Sequence, residues 1–381
     1  MKPRDLSDHV AYEPGRGIEE VARELGRDPS EFVTLSSNEN PHGPSPAAVE
    51  ALQGAAEGVN GYPKVAHTDL ASALTHRWDV DAAQIWLANG GDGAIDYLSR
   101  ALLDPADAVL VPAPGFTYYG MSARFHHGEV REYPLSKDED FAQDAGTVLE
   151  AYDGERIVYL TSPHNPSGST IPLAEVERIA TETDERTLVV VDEAYGEFAE
   201  TDSAVALVEG RDGFGARDDV AVLRTFSKAY GLAGVRLGYA VVPAEWADAY
   251  ARVNTPFAAS ELACRAGAAA LEDDEHVSRT VESARWAREY VAEHANAHVW
   301  PSDGNFVLVE VGDATSVAEV MRERGVIVRD CTSFGLPECV RITCGTDEET
   351  RRAVETLNGA LAALDLADDA NARANSEVSD R

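Results

Sequence analysis

Lysine is scarce in this chain, which has only Lys2, Lys64, Lys137 and Lys228, with arginine supplying the other basic residues. Lys228 closes the stretch Arg224-Thr225-Phe226-Ser227-Lys228, and a glycine-rich segment containing Gly231, Gly234, Arg236 and Gly238 follows. Alone, such a lysine reads as a solvated surface residue. Its neighbours change that reading, because Thr225, Ser227 and Arg236 can all donate to one anion. A primary amine beside a bound aldehyde can also form a Schiff base.

Four further stretches carry candidate chemistry. In Val189-Val190-Val191-Asp192-Glu193-Ala194-Tyr195, Asp192 ends a fully apolar run and is either a cap or a functional carboxylate. Ser162-Pro163-His164-Asn165-Pro166-Ser167-Gly168 reads as a turn, with the amide of Asn165 held between prolines. Asn89-Gly90-Gly91-Asp92-Gly93 precedes a helical stretch, and glycines there let an anion reach bare backbone N–H groups aided by the helix dipole. Pro114-Gly115-Phe116 sets an aromatic ring after another apolar run.

The elements that must position these residues are short apolar runs: Gln84–Ala88, Ala108–Val111, Arg156–Leu160, Leu188–Val191, Val220–Arg224 and Leu237–Val242. Rich in Val, Ile and Leu without polar alternation, they predict parallel strands buried on both faces. Helical stretches such as Gly93–Leu103 and Leu173–Thr183 lie between them, which argues an α/β fold with functional groups at strand carboxyl ends. Beyond residue 255 the pattern changes to a long helical region, Ser260–His294, followed by strands Phe306–Val311, Val326–Arg329 and Val340–Thr343 and a helix Ser316–Arg324. Thr346 and Glu349 form a capping box for a terminal helix reaching about Leu364, and Ser45-Pro46 starts an earlier one. The expected division is an N-terminal arm 1–30, a large domain 31–255 with a mostly parallel sheet flanked by helices, a smaller α+β C-terminal domain 256–365 and a disordered tail 366–381.

Composition narrows the class. The 381 residues carry 32 basic and 67 acidic side chains, a net charge of −35 that disfavours nucleic acid and anionic membranes as partners. The four cysteines, Cys264, Cys331, Cys339 and Cys344, form no CxxC pair, so neither a disulfide scaffold nor a zinc ribbon is expected. The ten histidines show no metal-ligand constellation. No apolar run approaches the ~20 residues of a membrane span, and the first twenty residues are unlike a signal peptide. The expected location is the cytoplasm. There is no GxxxxGK[ST] loop and no GxGxxG fingerprint, which argues against a nicotinamide oxidoreductase.

An anion cradle, an aromatic ring, an amide, a carboxylate and a lysine at successive strand ends match the needs of pyridoxal 5′-phosphate. Here the chain resembles the fold-type-I aminotransferases over residues 5–365. Within them it is most similar to the histidinol-phosphate aminotransferases of salt-adapted archaea. The likeness rests on Tyr12-Glu13-Pro14-Gly15, the stretch from Leu35 to Pro46, Gly61-Tyr62-Pro63, the Asn165, Asp192 and Lys228 loops, and Cys339-Val340-Arg341-Ile342-Thr343.

The resemblance implies roles residue by residue. Lys228 would hold the cofactor as a Schiff base and then move the substrate proton. Asp192 would face the ring nitrogen, Asn165 and Tyr195 the ring hydroxyl, and Phe116 the ring face. Gly91, Asp92, Thr225, Ser227 and Arg236 would cradle the phosphate. Tyr62 would reach the cofactor phosphate of a neighbouring subunit, implying a homodimer with shared active sites. Tyr12, Asn40, Arg329 and Arg341 would contact substrate. Arg341 also stands out without the resemblance, since a cation in an otherwise apolar strand needs an anionic partner. The implied reaction is ping-pong transfer of an amino group from histidinol phosphate to 2-oxoglutarate, giving imidazole-acetol phosphate and glutamate in histidine biosynthesis. A threonine-phosphate decarboxylase and an aromatic amino-acid aminotransferase remain alternatives, and a non-catalytic binding protein is disfavoured by the joint presence of Lys228, Asp192 and Arg341.

An acidic, lysine-poor composition suits molar salt, where repulsion is screened within ~3 Å. The melting midpoint, followed by circular dichroism, should therefore rise steeply between dilute buffer and molar potassium chloride. Full cooperative stability in dilute buffer would refute that expectation.

Overall fold

The computed structural model describes residues 6, 7, 9, 11, 17–64 and 67–365. Tyr12 and the 366–381 tail, both subjects of expectations above, lie outside the described residues. In chain order the strands are β1 (Val33–Leu35), β2 (Ile85–Ala88), β3 (Ala108–Ala113), β4 (Glu129–Pro134), β5 (Ile157–Thr161), β6 (Leu188–Asp192), β7 (Val220–Thr225), β8 (Gly238–Val241), β9 (His298–Val299), β10 (Phe306–Glu310), β11 (Val326–Asp330) and β12 (Cys339–Thr343).

Seven of these form a central sheet in the order β2-β8-β7-β6-β5-β3-β4. Alternate residues of β5, β6 and β7 enter two cores on opposite faces: Val158, Leu160, Val189, Val191 and Val222 on one, Ile157, Tyr159, Leu188, Val190, Ala221 and Leu223 on the other. Burial on both faces explains the continuous apolar runs, each large side chain contributing about 1.5–3 kcal/mol. β3, β5, β6 and β7 pair in parallel, as the sequence predicts, and β4 joins β3 in the same sense.

The sequence reading is corrected at three places. β8, expected to be parallel, pairs antiparallel with both β2 and β7. Its link from β7 holds only the 3-10 turn Ala233–Val235, and a parallel crossover generally needs a helix. β4 went unpredicted because it is an edge strand whose exposed Glu129 and Glu132 leave only Tyr133 buried. The single helical region 260–294 is two helices, Glu261–Leu271 and Asp274–His294, with the Asp273 side chain capping the second.

The second sheet runs β1-β11-β12-β10-β9. The helices Ala314–Glu323, Asp347–Ala363 and Asp274–His294 contribute to the core on it. The anticipated capping box at Thr346 and Glu349 is in place, and Ser45 caps its helix as expected by accepting from Ala48 N. Sheet membership departs from a boundary at residue 31, since β1 pairs in parallel with β11 of the second sheet. The consequence is functional: the chain leaves β1 directly into Ser36–Glu39, which runs along the cavity between the two sheets. Lys137, after β4, ties the sheets together through Glu310 at 3.0 Å and Glu338 at 2.7 Å. Among the described residues no helix is long and apolar enough to cross a membrane.

Candidate active site

A cavity of about 800 Å³ opens at the carboxyl ends of β5, β6 and β7, where loops replace the ladder and side chains can converge. Gly91, Asp92, Phe116, Asn165, Asp192, Tyr195, Thr225, Ser227, Lys228, Arg236, Arg329 and Arg341 all line it. Residues far apart in sequence are thus brought to one place.

The candidate anion cradle lies at the start of the helix Gly90–Leu102, whose N-cap residue Asn89 makes no side-chain cap, leaving first-turn N–H groups without that partner. The strand end of β8 approaches closely: a Cβ on Gly238 would lie 2.5 Å from the carbonyl carbon of Gly90. Gly90 has φ +76°, and a Cβ there would sit 2.5 Å from Arg236 Nη2. Glycine at both positions lets backbone N–H groups and the guanidinium share one concavity. Arg236 donates to Asp92 at 3.0 Å, and desolvation raises the Asp92 carboxyl despite this ion pair. The Thr225 hydroxyl is 3.0 Å from that of Ser227, completing a cluster of donors at the end of β7.

Asp192 ends β6 at 7% exposure. It accepts from Tyr119 Oη at 2.7 Å and from Ala194 N at 2.9 Å, yet burial pushes its carboxyl up to about 6. Lys228 Nζ donates to the Ser37 carbonyl at 3.3 Å and lies 5.5 Å from the centre of the Tyr195 ring. Tyr195 Oη accepts from Asn38 Nδ2 at 2.9 Å, so its own proton is available to another acceptor.

Arg341, 5% exposed on β12, donates to Asn165 Oδ1 at 2.5 Å and to the Ser36 carbonyl at 2.7 Å. With its oxygen engaged, the Asn165 amide keeps its NH₂ end as donor. Arg329 on β11 is the direct cross-strand partner of Arg341 and donates to Ser333 Oγ at 2.9 Å. Two like charges opposite each other on a sheet repel.

One expected substrate contact, Asn40, is elsewhere. Asn40 does not line the cavity: its amide donates to the Ala229 carbonyl at 2.9 Å and to Thr280 at 3.2 Å, and its oxygen accepts from His42 N. It braces the loop, and Asn38 (φ 54°), two residues earlier, faces the cavity instead. Tyr62 is 86% exposed, stacked on the exposed Phe257 at 4.9 Å, and takes no part in its own chain's cavity.

Sequence reasoning missed Asn38, Tyr119 and His164. Buried His164 bridges the Pro114 carbonyl at 2.9 Å and Ser167 Oγ at 2.7 Å, locking the Phe116 loop to the Asn165 loop. Desolvation lowers it to about 4, so it is a neutral strut rather than an acid. Its place in the Pro163–Pro166 loop was the available signal.

Burial of Asp192 makes the stability of the protein depend on pH. Because folding raises its pKa from near 4 to about 6, stability falls as pH rises through that window, and above it the buried charge costs about 3 kcal/mol. Asp192→Asn should therefore raise the melting temperature of the ligand-free protein at pH 7.5, worth about 1–3 kcal/mol, and change it little at pH 4. Calorimetry at the two pH values reads the difference, and an equal effect at both would remove the burial argument.

Comparison with known proteins agrees with this geometry. The family model described as aminotransferase class I and II matches residues 30–357. A histidinol-phosphate aminotransferase of Natronomonas pharaonis is 69% identical over 361 residues, covering 95% of this chain and 100% of the relative. One from Methanosarcina mazei is 41% identical, covering 93% of this chain and 95% of the relative. The crystal structure of histidinol-phosphate aminotransferase from Sinorhizobium meliloti in complex with pyridoxal-5′-phosphate superposes with a TM-score of 0.83 at 27% identity, covering 95% of this chain and 98% of that one. With its lysine, carboxylate and bare helix end at successive strand termini, the chain belongs to the class I and II aminotransferases, in the branch of the histidinol-phosphate aminotransferases.

Proposed function

We propose that this chain uses pyridoxal 5′-phosphate to transfer the amino group of histidinol phosphate to 2-oxoglutarate, as a homodimer in a salt-rich cytoplasm. The cavity's residues fit the cofactor. The cradle of Gly91, Asp92, Thr225, Ser227 and Arg236 suits its phosphate, Phe116 its ring face, and the ionised Asp192 a cationic ring nitrogen. When bound, the cofactor supplies an electron-accepting ring that acidifies the carbon bearing the substrate amine.

The chain's own groups do the rest. Asp192, buried and costly as a lone carboxylate, gains a counter-charge from a cationic ring nitrogen and thereby keeps that nitrogen protonated. Tyr195 donates its hydroxyl proton toward the ring oxygen, oriented by Asn38, and Asn165 adds its NH₂. Lys228 Nζ would hold the cofactor through its carbonyl carbon and, when released by the substrate amine, would be the base that moves the proton of the substrate carbon.

The observation that carries the substrate assignment is the Arg329–Arg341 cross-strand pair. Two guanidinium groups placed opposite each other repel, and a dianionic phosphate between them turns that cost into bidentate attraction. In the second half-reaction the same pair suits the carboxylates of 2-oxoglutarate. Tyr62, exposed on Phe257, is assigned to the partner subunit's cofactor phosphate, which makes the dimer part of the site. The sources of the relatives, among them Natronomonas pharaonis and Halorubrum lacusprofundi, accord with the acidic composition and salt dependence.

With the purified holoenzyme in concentrated potassium chloride, histidinol phosphate alone should bleach the cofactor's visible band, and 2-oxoglutarate should restore it. Binding without bleaching would shift the reading to a decarboxylase, and a protein with no visible band would end it. Arg341→Ala should weaken kcat/KM for histidinol phosphate by about 2–5 kcal/mol, and a near-unchanged value would exclude the phosphate-binding assignment.

A further inference from the structure

Arg224 is the cavity-lining cation to which the reading above gives no role. It lies on β7, one residue before Thr225, at 4% exposure. Its guanidinium forks: Nη1 donates to Glu193 Oε2 and Nη2 to Glu197 Oε1, each at 2.7 Å. Glu193 follows Asp192 directly, and Glu197 sits in the 3-10 turn Gly196–Phe198 that begins at Tyr195. The fork therefore grips the turn on both sides of Tyr195. Gly196 leaves room for it, since a Cβ there would lie 2.2 Å from Arg224 Nη1. Glu193 is itself fixed by Ser203 Oγ at 2.7 Å and Ala204 N at 2.6 Å, and Trp78 covers the guanidinium, 4.7 Å from carbon to ring centre.

Burying one cation with two carboxylates is expensive, and a hydrophobic replacement would often serve stability as well or better. The geometry does something an apolar contact would not. A planar, bidentate donor fixes the angle as well as the distance between two segments. One of those segments bears Asp192 and Tyr195, and the other bears Thr225, Ser227 and Lys228.

We propose that Arg224 is a positioning residue that locks the Tyr195 turn onto β7 and so fixes the Tyr195 hydroxyl and Asp192 relative to the Lys228 amine. This rests on the assignment of Lys228 as the amine that holds the cofactor. Loosening the fork lets the two segments shift against each other, which alters the chemistry at Lys228 more than it alters substrate binding.

The test compares wild-type holoenzyme with Arg224→Met, Arg224→Lys and Gly196→Ala, the last displacing the guanidinium while keeping every charge. For each, kcat and KM are measured, together with the pH midpoint at which the bound cofactor's visible absorbance changes and the melting temperature. For Arg224→Met and Gly196→Ala the expected result is a fall in kcat of tenfold or more, a KM within about threefold of wild type, and a midpoint moved by half a pH unit or more. Arg224→Lys, charged but unable to fork, should restore melting temperature more than kcat. Lower melting temperatures with wild-type kcat and midpoint would overturn the proposal and leave Arg224 a structural ion pair. If Arg224→Met fails to fold, Gly196→Ala decides by the same criteria. A wild-type enzyme lacking a visible band that depends on Lys228 would overturn the Lys228 assignment and this inference with it, whereas a normal wild-type band with unmoved variants overturns this inference alone.

Discussion

The site depends on one strip of backbone, Ser36 to Asn38, held between the two sheets. The Ser36 carbonyl accepts from Arg341 of the second sheet, and the Ser37 carbonyl accepts from Lys228 of the central one. Asn38 then meets both, its amide reaching Tyr195 and its backbone N–H reaching Thr343 Oγ1 at 3.0 Å. A carbonyl beside a cation is a strong acceptor, and an unmet bond in a buried position costs about 1–3 kcal/mol. The strip therefore couples Arg341 of the second sheet to Lys228 and Tyr195 of the central one. β1 makes this possible by pairing with β11, so the strip starts from a strand edge and not from a loose loop.

How much of this was legible followed from the physics of each residue. The strands of the central sheet are buried on both faces, and such strands announce themselves as unbroken apolar runs, so the residues at their ends could be named. Lys228, Asp192 and Asn165 were visible for that reason. Asn40 and Asn38 flank Glu39 symmetrically in the sequence. The left-handed turn at Asn38, a conformation asparagine tolerates well, decides which of the two faces the cavity. Tyr119 could not be linked to Asp192 from sequence, because the bond joins a helix and a strand end 73 residues apart. β4 was invisible because an edge strand gains by exposing charge, which removes the apolar pattern that would mark it.

The tightly packed glycines show the same coupling at shorter range. Gly90 and Gly238 let a helix end touch a strand end, and Gly196 makes space for a guanidinium. Each trades conformational entropy for a contact that a Cβ would forbid, and each does so beside a residue that faces the cavity. Backbone approach is thus used around the cavity, whereas the rest of the sheet relies on ordinary side-chain packing.

Charge sets the last constraint. The chain carries a net −35, yet its phosphorylated substrate is itself an anion. The cavity presents Arg224, Lys228, Arg236, Arg329 and Arg341 against Glu39, Asp92 and Asp192, and the two glutamates that hold Arg224 bring the charges into balance. It is an island near neutrality in a strongly anionic chain. In dilute solution the surface would repel an anionic substrate over about 10 Å or more, before the island could act. In molar salt that long-range repulsion disappears within ~3 Å, while hydrogen-bonded pairs at contact distance inside a partly buried cavity are screened far less. Under the salt dependence proposed above, one composition would serve both folding and catalysis.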